Sequence, residues 1–207
     1  MAWRFLESFE WTGGTAALLA NKYETVTGGP TVVAGARTGA WALQCNQAQY
    51  VQIRHNLVGG GAGRNIAAHG FAVKVDVLDA GTWAAAGAAT LAELRYIDPG
   101  TLVDTLVARL RLLGDGSLAF YGGAAGTPLL ASTAAGVVAV DGSYQHVEWL
   151  TRVDGLYLGA GLGQVKIRVN GATVVQAFGL TISDAPFVYN AIRYGQVANA
   201  EPNLRLT

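Results

Sequence analysis

Between Ser143 and Val175 apolar and polar positions alternate with a period of two. Val147, Trp149 and Val153 are interleaved with His146, Glu148 and Arg152. After a glycine-rich reversal, Val165, Ile167 and Val169 are interleaved with Gln164, Lys166, Arg168 and Asn170. This period puts successive side chains on opposite faces of an extended strand, one face for a core and one for water or a partner. Asn170-Gly171 is the pair best suited to the positive-φ turn of a two-residue hairpin, so the chain is predicted to reverse there. Val147, Trp149, Val165, Ile167 and Val169 are predicted on one buried face, and His146, Glu148, Lys166 and Arg168 on the other.

Alternation predicts further strands over residues 4–9, 31–34, 40–45, 50–55, 71–78, 105–112, 117–121 and 190–194. Ala92, Leu94 and Tyr96 alternate with Glu93 and Arg95 up to the turn Asp98-Pro99-Gly100, so the alanine-rich run from Trp83 reads as a loop leading into a strand. One short helix, capped by Thr15, is expected over residues 15–23. The rows Phe71, Val73, Val75, Val77 and Leu106, Leu110, Leu112 are the expected core, each side chain contributing roughly 1.5–3 kcal/mol when fully buried. The predicted fold is an all-β antiparallel sandwich, and a chain of 207 residues suits one such domain over residues 1–207.

Half of the residues are hydrophobic, 14% are charged, and the formal net charge is zero. This disfavours nucleic acid and an acidic membrane as partners and favours association in many copies. Cys45 is the only cysteine, which excludes an intrachain disulfide and predicts a small buried side chain. MAWRFLESFEW lacks a basic n-region followed by an unbroken apolar run, so no leader is expected.

The order of these pieces is similar to a known family. The strand Tyr144-Gln145-His146-Val147-Glu148, a charged strand and the Val169-Asn170-Gly171 hairpin resemble the second half of the concanavalin A-like, laminin G-like jelly rolls that recur among bacteriophage virion proteins. Upstream, RLRLLGDGSLAFYGG resembles the preceding hairpin, with Gly114-Asp115-Gly116 at its turn; FLESFEW and GARTGAWALQC resemble earlier strands. The chain ends in NLRLT without the Asp-Asp pair that members often carry on the last strand. The resemblance implies a jelly-roll sandwich made in a host cytoplasm and built into a virion, as a head decoration or tail-associated protein.

Residues that could hold chemistry are sparse. Sandwich glycosidases use two carboxylates about 5–9.5 Å apart. Glu7 and Glu10 are three apart and would face opposite ways, while Asp76, Glu93 and Glu148 stand alone among basic neighbours. No catalytic dyad is expected. His55, His69 and His146 lack metal-ligand spacing. Asp79, Asp98, Asp115, Asp141, Asp154 and Asp184 are spread one per loop, which leaves Ca2+ open as a ligand and no other cofactor expected. The charged face of Lys74, Arg95, Arg109, Arg111, Arg152, Lys166 and Arg168, relieved by Asp76, Glu93 and Glu148, could dock a glycan or an acidic neighbour.

The expected activity is therefore contact rather than turnover: a non-enzymatic virion protein bound to other capsid or tail proteins. The loop DGLYLGAGLG is longer than a hairpin needs, and Leu156, Tyr157, Leu158 and Leu162 are its candidate partner-binding residues. The alternative is a lectin-like module for a cell-surface glycan, with Trp83 and Tyr157 as candidate stacking residues. A glycoside hydrolase or lyase comes third.

Overall fold

A computed structural model describes residues 12–34, 41–45, 49–54, 66–75, 88–123, 128–139, 141–153, 162–183, 188–195 and 204–206. The strands are β1 (Thr25–Thr27), β2 (Thr31–Ala34), β3 (Trp41–Cys45), β4 (Tyr50–Arg54), β5 (Ile66–Val75), β6 (Ala88–Ile97), β7 (Asp104–Leu113), β8 (Leu118–Gly122), β9 (Leu129–Ser132), β10 (Gln145–Arg152), β11 (Gly163–Val169), β12 (Ala172–Leu180), β13 (Ala191–Gly195) and β14 (Leu204–Leu206). They form two seven-stranded sheets: sheet A in the order β12-β11-β10-β5-β14-β3-β2, and sheet B in the order β1-β4-β13-β6-β7-β8-β9. The observed pairings are antiparallel, and the all-β sandwich expected from alternation is what the chain forms.

The pattern between Ser143 and Val175 folds as predicted. β10 and β11 pair with Trp149 opposite Ile167 and Glu148 opposite Arg168. Val147, Trp149, Val165, Ile167 and Val169 are buried, while Glu148, Lys166 and Arg168 are partly exposed on the other face. Asn170 and Gly171 both have positive φ, 51° and 84°, and close the turn from β11 into β12. Asn170 N–H donates to the His146 carbonyl at 2.8 Å, and Asn170 Oδ1 accepts from His146 N–H at 2.9 Å, which ties the turn to β10.

The two sheets meet over a continuous core. Phe120 of sheet B stands edge-on to Trp149 of sheet A at 5.9 Å, and Phe71 to Tyr194 at 6.1 Å. His69 points into the same interior, its Nδ1 3.1 Å from the Tyr194 hydroxyl. Cys45 is buried.

Several expectations need correcting. The helix is a 3-10 helix, Ala16–Asn21, and Thr15 makes no side-chain cap hydrogen bond. β6 begins at Ala88, inside the alanine-rich run read as a loop: Ala88, Ala89 and Ala92 are buried, and small side chains suit a strand covered on both faces. Leu106 does not share a face with Leu110 and Leu112. A register shift between Leu94 and Arg95 leaves Val107 and Ala108 both in the core and puts Leu106 opposite Arg95. The strand expected over residues 4–9 lies outside the described residues.

Candidate functional site

The expected single basic face is in fact two. Lys74, Arg152, Lys166, Arg168 and Glu148 belong to sheet A, whereas Arg95, Arg109, Arg111 and Glu93 belong to sheet B, across the core. Asp76 lies outside the described residues.

On sheet B the register aligns one residue from each of five neighbouring strands. Gln52 of β4 pairs with Arg193 of β13, Arg193 with Glu93 of β6, Glu93 with Arg109 of β7, and Arg109 with Tyr121 of β8. Their neighbours Val51, Tyr194, Leu94 and Leu110 enter the core, so this row faces outward. Glu93 is fully buried beneath the arginines. Its carboxylate accepts from Arg109 Nε at 2.9 Å and from Arg95 at 3.1 Å, and Arg193 lies 3.9 Å away. Asp104, at the start of β7, accepts from Arg95 Nε at 2.8 Å and from Arg193.

Arg193 is held from its other side by β4. Its Nε donates to Gln52 Oε1 at 2.6 Å, and its guanidinium lies 4.7 Å from the centre of the Tyr50 ring. Arg111, one step along β7, sits 5.8 Å from the Tyr121 ring and forms no ion pair with a described residue. Among the described residues, Arg95, Arg109 and Arg193 share the carboxylates of Glu93 and Asp104 while Arg111 pairs with neither, so four cations here meet two acids. Each guanidinium presents five donors, so donors remain after these contacts. Tyr50 and Tyr121 border this face through their ring contacts with Arg193 and Arg111; no histidine lies on it among the described residues.

Of the residues singled out in the sequence, Trp83, Leu156, Tyr157 and Leu158 lie outside the described residues. Leu162 is half-exposed just before β11, away from the arginine row. Asp98, Asp115 and Asp141 each cap their own turn: Asp98 accepts from Gly100 and Thr101 N–H, Asp115 from Ser117, and Asp141 from Ser143. Among the described residues no group of three or more His, Cys, Asp or Glu could hold a metal ion. Sequence reasoning missed Arg193, Asp104, Gln52 and Tyr50, although the strand containing Arg193 was predicted.

No family model matches the chain, and no curated protein matches it by sequence. Solved structures match by fold. An endo-β-1,4-glucuronan lyase from the fungus Trichoderma reesei is similar with a TM-score of 0.60 and 14% identity, over 90% of this chain and 89% of that one. A carbohydrate esterase from the Shiga toxin-encoding bacteriophage phi24B is similar with a TM-score of 0.56 and 18% identity, over 93% and 92%. A marine alginate lyase from Aplysia kurodai gives 0.58 and 10%, over 86% and 84%.

These matches define the fold, and they correct one expectation. The chain was expected not to be an enzyme, yet its sandwich is shared with two polysaccharide lyases and a carbohydrate esterase. Arg95 and Arg193 each pair with both Glu93 and Asp104, drawing these two carboxylates together from neighbouring strands.

Proposed function

We propose that this protein engages an anionic, carboxylate-bearing polysaccharide along the row Gln52, Arg193, Glu93, Arg109 and Tyr121. The observation that supports this is the alignment of those residues across five strands, where among the described residues four arginines meet two carboxylates. A sheet face is long and rigid enough to meet successive sugar residues, and preset guanidiniums bind carboxylates without first being ordered. Glu93 and Asp104 hold the guanidiniums in place.

Uronate polymers are the substrate class of this reading. Arg193 and Arg109 pair with the sugar carboxylate and stabilise the negative charge that develops on it when the neighbouring carbon loses its proton. Tyr50, beside Arg193, takes that proton in its phenolate form and passes it to the leaving oxygen as the bond to that oxygen breaks and the carbon–carbon double bond forms. The fold shared with the glucuronan and alginate lyases supports trying this reaction first. The phage resemblance of the sequence makes a bacterial surface polysaccharide the natural polymer to include.

The test is a titration with oligoglucuronate, oligoalginate and a neutral glucan, with turnover followed by the ultraviolet absorbance of the unsaturated product. Binding of uronates over the neutral glucan, weakened by salt and by Arg111→Gln, is the expected result. Arg111 forms no ion pair with a described residue, so its replacement leaves the Glu93 network intact. Equal binding of neutral and acidic polymers would overturn the reading.

A further inference from the structure

The outer face of sheet A, on the opposite side of the sandwich, presents side chains that the arginine row does not use. Ile66 of β5, Arg152 of β10, Gln164 of β11 and Phe178 of β12 stand in one row, with Ala68, Leu150, Lys166 and Gln176 in the next. Phe178 is 61% exposed, Ile66 49% and Leu150 39%. Around them is a cavity of about 210 Å³, beside another of about 200 Å³ reaching Glu148 and Arg168; Leu150 and Lys166 line both.

The charges differ in their commitments. Arg168 pairs with Glu148 at 3.4 Å, whereas Arg152 and Lys166 form no ion pair with a described residue. The groove therefore combines an aromatic ring, aliphatic side chains, two amides and two uncommitted cations.

We infer that this groove is a second saccharide-binding site, taking an anionic sugar residue. The C–H face of a pyranose stacks on Phe178 above Leu150 and Ile66, its carboxylate meets Lys166 and Arg152, and its hydroxyls pair with Gln164 and Gln176. A lipid tail would leave the amides and cations desolvated without partners. A peptide strand added along β12 would need a regular edge, and β12 is interrupted by two register shifts, irregularities of the kind that discourage such pairing. The inference is independent of the arginine row, which lies in the other sheet.

The test is nuclear magnetic resonance of the isotopically labelled protein titrated with a short oligoglucuronate and, separately, with the matching neutral oligoglucoside. Expected are saturable shifts at Leu150, Lys166 and Gln176 with the acidic probe. Lys166→Gln combined with Arg152→Gln, and Phe178→Ala alone, should each weaken that site about tenfold while leaving shifts at Glu93 and Arg193 unchanged. Absence of shifts on β10–β12 at saturating probe, or shifts undiminished in both variants, would overturn it. So would a concentration-dependent dimer abolished by Phe178→Ala, because a second copy would then be the occupant. Shifts on β10–β12 without any at Glu93 or Arg193 would sustain this site and defeat the arginine-row reading.

Discussion

Glu93, fully buried on β6, accepts a hydrogen bond at 2.9 Å from Arg109 on the neighbouring strand β7. Arg95 and Arg193 close over the same carboxylate. Removing its charge leaves Arg109 without its acid among the described residues and Arg95 and Arg193 with Asp104 alone, and breaking a buried pair on one side costs more than the pair contributes. Glu93→Gln should therefore destabilise the fold by about 3 kcal/mol. Chemical denaturation would measure this, and a change below the error of the extrapolation would mean that water or an unseen carboxylate compensates.

Asn190 clamps the end of β6. Its Oδ1 accepts from Ile97 N–H at 2.8 Å and its Nδ2 donates to the Ile97 carbonyl at 2.7 Å, so one side chain replaces a missing strand partner. Asn190→Ala strands two buried backbone groups and should cost about 2–3 kcal/mol. Asn190→Asp keeps the acceptor but sets a carboxylate oxygen against the Ile97 carbonyl, and should lower the urea-unfolding midpoint at least as much as Asn190→Ala.

β10 and β11 were legible because their faces obey a period of two, and the start of β12 because Asn170-Gly171 can mean little else than a tight turn. β6 was legible only from Ala92 onward: alanines fit a strand, a helix or a loop, and their burial decides the matter only once the opposite sheet is in place. The arginine row was not legible. Gln52 and Arg193 are 141 residues apart, and Arg193 and Asp104 89, so their meeting is a property of strand order. Strand order also explains why one basic face was expected and two were found: alternation assigns a side chain to a face of its own strand but does not say which sheet the strand joins.

Leu102 has φ of 59° and is 66% exposed at the tip of the β6–β7 connection. A branched side chain in the left-handed region costs about 1–2 kcal/mol, and this one recovers little by burial. Leu102→Gly should relieve that strain, offset in part by the greater freedom of glycine in the unfolded chain, for a net gain of about 0.5 kcal/mol. A loss of thermal stability in this variant would show that Leu102 makes a contact in solution that outweighs the strain.

Asp98, Asp115 and Asp141 are held below the ordinary aspartate value of 3.8 by hydrogen bonds, chiefly from Thr101 N–H, the Ser117 hydroxyl and the Ser143 hydroxyl respectively. Since the folded-state values are depressed, the stabilisation is complete above 3.8 and is lost as pH falls through the lower folded values. Stability should therefore decline on acidification below about pH 3.8. Replacing all three by Asn should flatten that part of the profile, as followed by denaturation midpoints through the acid range. An unchanged acid limb would show that these three turns do not set the acid stability.

Arg193 is fixed from β4 in two ways: through its hydrogen bond to Gln52 and by lying 4.7 Å from the Tyr50 ring. Gln52 and Tyr50 are two apart on one strand and so share a face, with Arg193 between them and the acids. Tyr50→Phe keeps the aromatic ring under the guanidinium and removes only the hydroxyl. Uronate affinity should then stay the same while any elimination activity is lost, which separates Arg193's role in binding from the hydroxyl's role in proton transfer. Tyr50→Leu removes the ring as well, and a cation–π contact of about 1 kcal/mol corresponds to roughly fivefold weaker binding. Calorimetry on the two variants, with product absorbance as the second readout, would distinguish these roles. Equal loss of affinity in both would mean that the hydroxyl binds the sugar directly, and equal retention would place the polysaccharide away from Arg193.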